Sequence, residues 1–141
     1  MADYIVPKGK KLMITVNKSN NEETKNAEED PIINLPIVVL ANENSASASE
    51  IFLGALKDNE LAKIVGVKTY GKGVIQEVLK LTNGGALKLT IEEYYTPNRN
   101  KINKVGIEPD VEVKLPEGVK NSYNIDRKDD TQLKKAIELL K

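Results

Sequence analysis

Three serines and one lysine are the residues of this sequence whose surroundings could support chemistry. The serines alternate with alanines in Ser45-Ala46-Ser47-Ala48-Ser49-Glu50, and Lys72 stands between Gly71 and Gly73. A serine hydroxyl becomes a nucleophile when a base takes its proton, and a neutral lysine amine can be that base. These residues therefore allow acyl transfer through a serine.

The residue types that the chain lacks limit which nucleophile and which base this chemistry could use. The sequence contains no histidine and no cysteine. A Ser/His/Asp triad, a Cys/His pair, a zinc finger and a histidine-ligated metal site are thus impossible within it. If the protein does nucleophilic chemistry, the nucleophile must be Ser or Thr and its base Lys, Asp, Glu or Tyr.

Composition predicts one soluble globular domain covering residues 1–141. Hydrophobic residues make up 40% and charged residues 30% of the chain, which is the balance of an ordinary folded protein. The longest apolar run, Leu35 to Ala41, is too short to cross a bilayer. The 21 basic and 21 acidic residues cancel, so the basic patch typical of a nucleic-acid partner is missing.

The serines lie between a predicted strand and a predicted helix. Residues 35–41 form a continuous apolar run, as a parallel strand covered on both faces requires. Residues 45–57 have helical spacing with one apolar face, and residues 64–67 predict another strand. The sequence thus predicts a right-handed strand-helix-strand unit that carries the serines. The apolar face consists of Ile51, Phe52, Ala55 and Leu56.

The lysine precedes a predicted hairpin. Residues 74–81 and 86–95 read as antiparallel strands, and the Asn-Gly pair in residues 82–85 predicts the turn between them. A last strand is expected at 111–113, and a closing helix at 131–140. The fold class is therefore α/β, a mixed sheet with a parallel unit and a hairpin-rich C-terminal part.

The N-terminal region is predicted to be less regular. Residues 2–6 resemble the tail of a helix ended by Pro7, and residues 12–16 form a fair strand. Residues 18–30 are polar and lack periodicity, so we expect an exposed, mobile loop there. A chain that opens inside an element, without a signal peptide, is expected to be truncated at its N-terminus.

Local patterns alone leave the roles of Ser47 and Lys72 open. Ser47 and Glu50 have the spacing of a helix capping box, which is an alternative to a nucleophile turn with outward-pointing helix N–H groups. Lys72 could be a solvated loop residue, although two flanking glycines are typical of a close approach or a bend. Gln76 could hold the amine only if the chain turns near Gly73, because four extended residues span roughly 13 Å.

The motifs taken together resemble the carboxy-terminal processing (tail-specific) proteases. The resemblance covers most of the chain from about Pro7 onward. It lies in the residue blocks 37–42, 45–51 and 65–76, followed by 84–90, 95–97 and 106–110.

This resemblance implies a ClpP/crotonase-like core and a Ser/Lys dyad. Ser47 would be the nucleophile, Lys72 the general base and Gln76 the residue that orients Lys72, while the Ala48 amide would donate one oxyanion hydrogen bond. No cofactor or metal is implied. The expected substrates are polypeptides, cut toward accessible C-terminal tails in extracytoplasmic compartments such as the cell envelope, the periplasm or the secreted space.

The chain also departs from the family pattern. Glu43-Asn44 replaces two glycines that usually precede the serine run. The family's PDZ domain, which binds substrate tails by strand addition, and its upstream Gly-rich oxyanion segment are expected to be missing from this chain. Losing one oxyanion donor costs roughly 100- to 1000-fold in rate, so the chain alone is expected to be nearly inactive.

Two further hypotheses follow from these departures. A non-catalytic peptide-binding or assembly module on the same scaffold is the alternative function, although the joint presence of Ser47, Lys72 and Gln76 argues against it. Sheet edges and apolar surface left uncovered would favour self-association of the truncated core.

Overall fold

Two small sheets and two α-helices make up the described part of the chain. A computed structural model describes residues 1–119 and 125–141. The α-helices are α1 (Ala48–Asp58) and α2 (Thr131–Leu139); the strands are β1 (Lys11–Asn17), β2 (Glu22–Asn26), β3 (Ile37–Ala41), β4 (Ala62–Gly66), β5 (Val74–Lys80), β6 (Ala86–Tyr95) and β7 (Val111–Glu112). Four strands form an antiparallel sheet in the order β2-β1-β6-β5, and three form a parallel sheet in the order β3-β4-β7.

The predicted strand-helix-strand unit is confirmed as β3, α1 and β4. β3 and β4 are parallel neighbours, with Val39 opposite Ile64, and β7 adds to β4 in the same direction. Helix α1 begins at Ala48 rather than Ser45, so the serine run forms the turn that leads into the helix. This geometry places the serines at the carboxyl end of β3, where sites in parallel sheets usually lie.

The predicted hairpin is also confirmed. β5 and β6 pair antiparallel from Val74 opposite Glu93 to Lys80 opposite Ala86, with one irregularity between Ile75 and Gln76. β6 continues beyond the hairpin and pairs with β1. One long strand therefore joins the hairpin to the body of the protein.

The prediction of an exposed loop at residues 18–30 is wrong in part. Residues Glu22–Asn26 form strand β2, which pairs antiparallel with β1, and all five of its residues are exposed. A strand that is exposed on both faces needs no apolar alternation, because backbone hydrogen bonds hold it in the sheet. The sequence pattern therefore gave no signal for it.

Two hydrophobic clusters pack around α1. The helix buries Leu53, Ala55 and Leu56, while Ile51 and Phe52 are only partly buried. The first cluster joins α1 to both sheets and consists of Ala41, Leu53, Ile64, Tyr94, Ile102 and Ile107. The second consists of Val6, Ala27, Ala55 and Leu56.

The chain termini are short helical segments. A 3-10 helix spans Ala2–Tyr4, where the sequence predicts the tail of a helix. At the other end the Asp130 side chain caps α2 by accepting from the Leu133 N–H at 2.8 Å. Among residues 1–119 and 125–141, no helix has the length and apolarity that crossing a membrane requires.

Candidate active site

Ser47 has a backbone conformation that is unusual for a residue with a side chain. Its φ of 56° and ψ of −117° match the first central residue of a type II′ turn, a position that favours glycine. Non-glycine residues in such regions carry strain and occur often at functional sites. The candidate nucleophile is thus the strained residue between β3 and α1.

The turn before Ser47 is built by Asn42. Its side-chain oxygen accepts from the Asn44 N–H at 3.0 Å, and its N–H donates to the Ser45 hydroxyl at 3.1 Å. Neither Glu43 nor Asn44 has a positive φ. The turn therefore forms at these positions without the two glycines of the family pattern.

The carboxylate of Glu50 is the centre of the site. Its side chain is fully buried and accepts four hydrogen bonds. Oε1 accepts from the Thr69 hydroxyl at 2.6 Å and the Gly71 N–H at 2.7 Å. Oε2 accepts from the Ser47 N–H at 3.0 Å and the Lys72 N–H at 2.8 Å. One carboxylate thus joins the turn at Ser47 to the lysine loop, which consists of residues 67–73.

This network is larger than the capping box that the sequence predicts. The Glu50 side chain accepts from the Ser47 N–H, as in a capping box, and its other oxygen reaches residues 19 to 21 positions away. The spacing of Ser47 and Glu50 reveals only the local part. The Thr69 contact could not be found from the sequence, because it depends on how β4 and the following loop pack against α1.

The glycines beside Lys72 are required by close backbone contacts. Gly71 has a φ of +88°, and a Cβ there would lie 2.8 Å from the Gly106 amide nitrogen. A Cβ on Gly73 would lie 2.4 Å from the backbone nitrogen of Asn103. The expectation that these glycines mark a bend and a close approach is therefore confirmed.

The structure brings Ser47 and Lys72 together through their backbones, but it leaves the lysine amine exposed. Their two amide nitrogens lie 3.0 Å and 2.8 Å from the same Glu50 oxygen. The Lys72 side chain itself is exposed, while Ser47 is partly buried. In the described part of the chain, no hydrogen bond or ion pair holds the Lys72 amine.

Ala48 and Gln76 take different positions. Ala48 is the first residue of α1 and is exposed, and the first N–H groups of a helix lack partners within the helix. Among residues 1–119 and 125–141, its N–H has no acceptor. Gln76 lies on β5 with its side-chain nitrogen 3.3 Å from the Thr90 hydroxyl, so the expected contact with Lys72 is not formed in this structure.

Tyr94 is a site residue that sequence reasoning missed. It is 2% exposed, and its hydroxyl donates to the backbone carbonyl of Lys72. Burial raises the pKa of the Tyr94 phenol above its ordinary value, and the negative charge of Glu50 adds to this effect. Tyr94 belongs to β6, far from both residues in sequence, so no local motif marks it.

Comparison with known proteins identifies the family. The chain matches the model of peptidase family S41 over residues 1–113. A carboxyl-terminal-processing protease of Synechocystis sp. is 40% identical over 129 residues, which are 92% of this chain and 30% of that protein. The carboxy-terminal processing protease CtpA of Bacillus subtilis is 34% identical over 123 residues, 87% of this chain and 26% of that protein.

A solved structure supports the same assignment. A photosystem II D1 C-terminal processing protease has a TM-score of 0.75 and 38% identity, over 82% of this chain and 31% of that one. The chain thus spans less than a third of the length of these relatives. The expected mixed α/β fold and family resemblance are both confirmed. Because the family match covers more than half of the sequence, the chain belongs to peptidase family S41.

Proposed function

We propose that this protein is a serine endopeptidase with a Ser/Lys dyad, in which Ser47 is the nucleophile and Lys72 the general base. The observation that carries the proposal is the buried Glu50 carboxylate, one oxygen of which binds the backbone N–H groups of both residues. This contact keeps the two residues at the same place in the fold. The strained conformation of Ser47 is further support, because it occurs at the residue that would attack.

The proposed reaction uses only groups of this chain and water. The Ser47 oxygen attacks the scissile carbonyl carbon while its proton passes to the neutral Lys72 amine. The Ala48 N–H donates to the oxyanion of the tetrahedral intermediate. Lys72 then gives the proton to the leaving amine, and the C–N bond breaks to leave an ester on Ser47. Water hydrolyses this ester by the same steps in reverse.

The proposal requires the Lys72 amine to be shielded from water. A lysine is a base only in its neutral form, and removal from water favours that form. The side chain is exposed in this structure, so bound polypeptide or a further part of the protein must cover it. With one oxyanion donor and an uncovered base, we expect the isolated chain to be nearly inactive.

Substrate, location and the role of Gln76 also belong to this proposal. We infer polypeptide substrates cut toward their C-terminal tails, because the relatives are named as carboxyl-terminal processing proteases. The same family assignment supports an extracytoplasmic compartment. Gln76 would orient the Lys72 amine only after its side chain leaves Thr90.

The test is cleavage of an unstructured polypeptide by the protein in its natural length. Ser47→Ala and Lys72→Ala should each reduce kcat/KM by roughly 1000-fold or more, because a dyad acts as a unit. Lys68→Ala is the matched control, since Lys68 is an exposed lysine paired with Glu108 at 2.7 Å. Equal cleavage by all four proteins would reject the dyad.

A non-catalytic peptide-binding or assembly module is the second candidate, and two observations favour it. The Lys72 amine is exposed, and the β5–β6 hairpin presents uncovered apolar side chains that suit binding or self-association. These side chains are Val78, Leu79, Leu81, Leu87 and Leu89. Peptide binding without cleavage by the wild-type protein would favour this candidate. A molar mass that stays monomeric at all concentrations would reject self-association.

A further inference from the structure

Strand β5 is an edge of the antiparallel sheet, and one side of its backbone faces β6. Beside the hairpin turn, the Leu81 N–H donates to the Gly85 carbonyl at 2.9 Å. In an antiparallel pair, residues that bond to the partner strand alternate with residues whose N–H and C=O groups point outward. Counting back from Leu81, Leu79 and Glu77 thus bond to β6, and the residues between them face the open edge.

The outward backbone groups belong to Gln76, Val78 and Lys80. Within the ranges that the structure describes, no backbone group is bonded to them, and all three residues are exposed. A row of unpaired N–H and C=O groups can bind another extended chain by adding it as a strand. The geometry of this edge therefore fits an extended polypeptide.

One face of the hairpin is apolar. Leu79 lies opposite Leu87 in the register of β5 and β6, so the two side chains share a face. Leu81 and Leu89, each two residues away on its own strand, extend the same face. These four leucines, the leucine face, are 38% to 46% exposed. A strand added beside β5 would place every second side chain on this face, where apolar residues would pack.

The opposite edge of the same sheet, β2, is less suited to strand addition. Its residues include Glu22, Glu23 and Lys25, and charged side chains on an edge strand oppose pairing with another chain. β5 is also the edge that leads to the proposed dyad, because it begins at Val74, two residues after Lys72. A chain bound along β5 therefore has one end directed to the site.

We propose that the free edge of β5 binds an extended polypeptide substrate as an added strand, with apolar side chains at alternate positions packed on the leucine face. The inference rests on the proposed function, because it makes the bound chain a substrate of Ser47. Backbone hydrogen bonds supply the affinity, and the leucine face supplies the preference for apolar residues. This contact lies outside the reacting groups, so it lowers KM and leaves kcat unchanged.

The binding test uses the protein of natural length with Ser47→Ala, which prevents cleavage by the proposed dyad. The probe is a short fluorescein-labelled peptide in which valine alternates with serine, and its Kd is measured by fluorescence anisotropy. Val78→Pro removes one outward N–H and leaves the bonds to β6, since an edge strand tolerates proline at such a position. It should raise the Kd about tenfold. Val78→Ala keeps the N–H and should change the Kd by less than about twofold.

Equal Kd values for Val78→Pro and Val78→Ala would overturn the inference. With Ser47 present, Val78→Pro should raise KM for a polypeptide that contains the same segment about tenfold, with kcat unchanged. Cleavage that survives Ser47→Ala would instead reject the dyad, and the comparison of Kd values would still decide whether the edge binds the peptide.

A second measurement does not depend on the folding of a proline variant. In the Ser47→Ala protein, amide hydrogen exchange at Gln76, Val78 and Lys80 should slow when the peptide binds, because these N–H groups gain partners. The Leu79 N–H, which already bonds to β6, should change little. Slower exchange elsewhere but not at these three amides would overturn the inference. Slowing that follows protein concentration and not peptide would also overturn it, since it would indicate a second copy of the chain on this edge.

Discussion

The lysine loop and the hairpin that follows it differ in the contacts that hold them in place. The loop, residues 67–73, is fixed by the buried Glu50 carboxylate and by contacts with the backbone of residues 102–107. Residues 76–89 form an arm in which every residue is exposed, and the pairing of β5 with β6 holds its two strands together. Ser47 and Lys72 thus belong to a region fixed by tertiary contacts, and Gln76 lies at the base of a region that is not.

The difference explains which proposed residues the fold brings together. Buried polar contacts specify one backbone arrangement, because alternatives leave groups unsatisfied. An exposed hairpin has few contacts that oppose local opening. Changes in the loop should therefore affect stability far more than matched changes in the arm.

Replacing Glu50 by Gln should have the largest effect on stability. The amide has one acceptor where the carboxylate has two, so its NH₂ group would face backbone N–H donors. We expect the free energy of unfolding to fall by about 3 kcal/mol in urea unfolding. Glu77→Gln removes the same charge from the arm and should cost less than about 0.5 kcal/mol. Similar losses for the two variants would contradict the comparison.

Replacing Gly73 by Ala should have an intermediate effect. The new Cβ would lie 2.4 Å from the Asn103 nitrogen, and because this atom is backbone, relief requires movement of the chain. We expect the free energy of unfolding, measured by urea unfolding, to fall by about 2 kcal/mol. Gly84→Ala is the control in the arm: its Cβ meets no atom within 4 Å, and only the φ of +83° opposes it. The free energy of unfolding of that variant should fall by about 1 kcal/mol.

The smallest expected effect is on the free energy of unfolding at alkaline pH. The Tyr94 phenol has a raised pKa in the folded protein, whereas in the unfolded chain it ionises near pH 10. Below about pH 10 both states keep the proton, and this contribution to stability is fully present. Above it the folded state binds more protons, so the free energy of unfolding falls as pH rises toward the folded pKa. Urea unfolding from pH 9 to 11 should show a smaller fall for Tyr94→Phe than for Tyr95→Phe.

Much of the fold follows from patterns that are local in the sequence. The apolar run before Asn42 predicts β3, and the Asn83-Gly84 pair predicts the hairpin turn, because each depends on neighbouring residues. Strand β2 was missed because neither of its faces is buried. Its pairing depends on the position of β1, and residues 22–26 have no periodicity that would indicate this pairing.

The site was predictable only in part for the same reason. The glycines around Lys72 marked a close approach, and Ser47 and Glu50 marked a helix start. The sequence did not show that the Glu50 carboxylate also binds Thr69, or that Tyr94 reaches the Lys72 carbonyl. The residues joined by these two contacts are 19 and 22 positions apart in the sequence. The contacts exist only once the sheets pack on α1. The placement of Gln76 beside Thr90 likewise depends on the register of β5 against β6.

The conformation of Ser47 has a consequence for protein engineering. At φ 56° and ψ −117° glycine is the residue with least backbone strain. A procedure that selected substitutions for thermostability alone would therefore choose glycine at position 47. Because Ser47 is the proposed nucleophile, that choice would remove the hydroxyl on which the proposed reaction depends, so sequence optimisation of this protein has to exclude position 47 from the search.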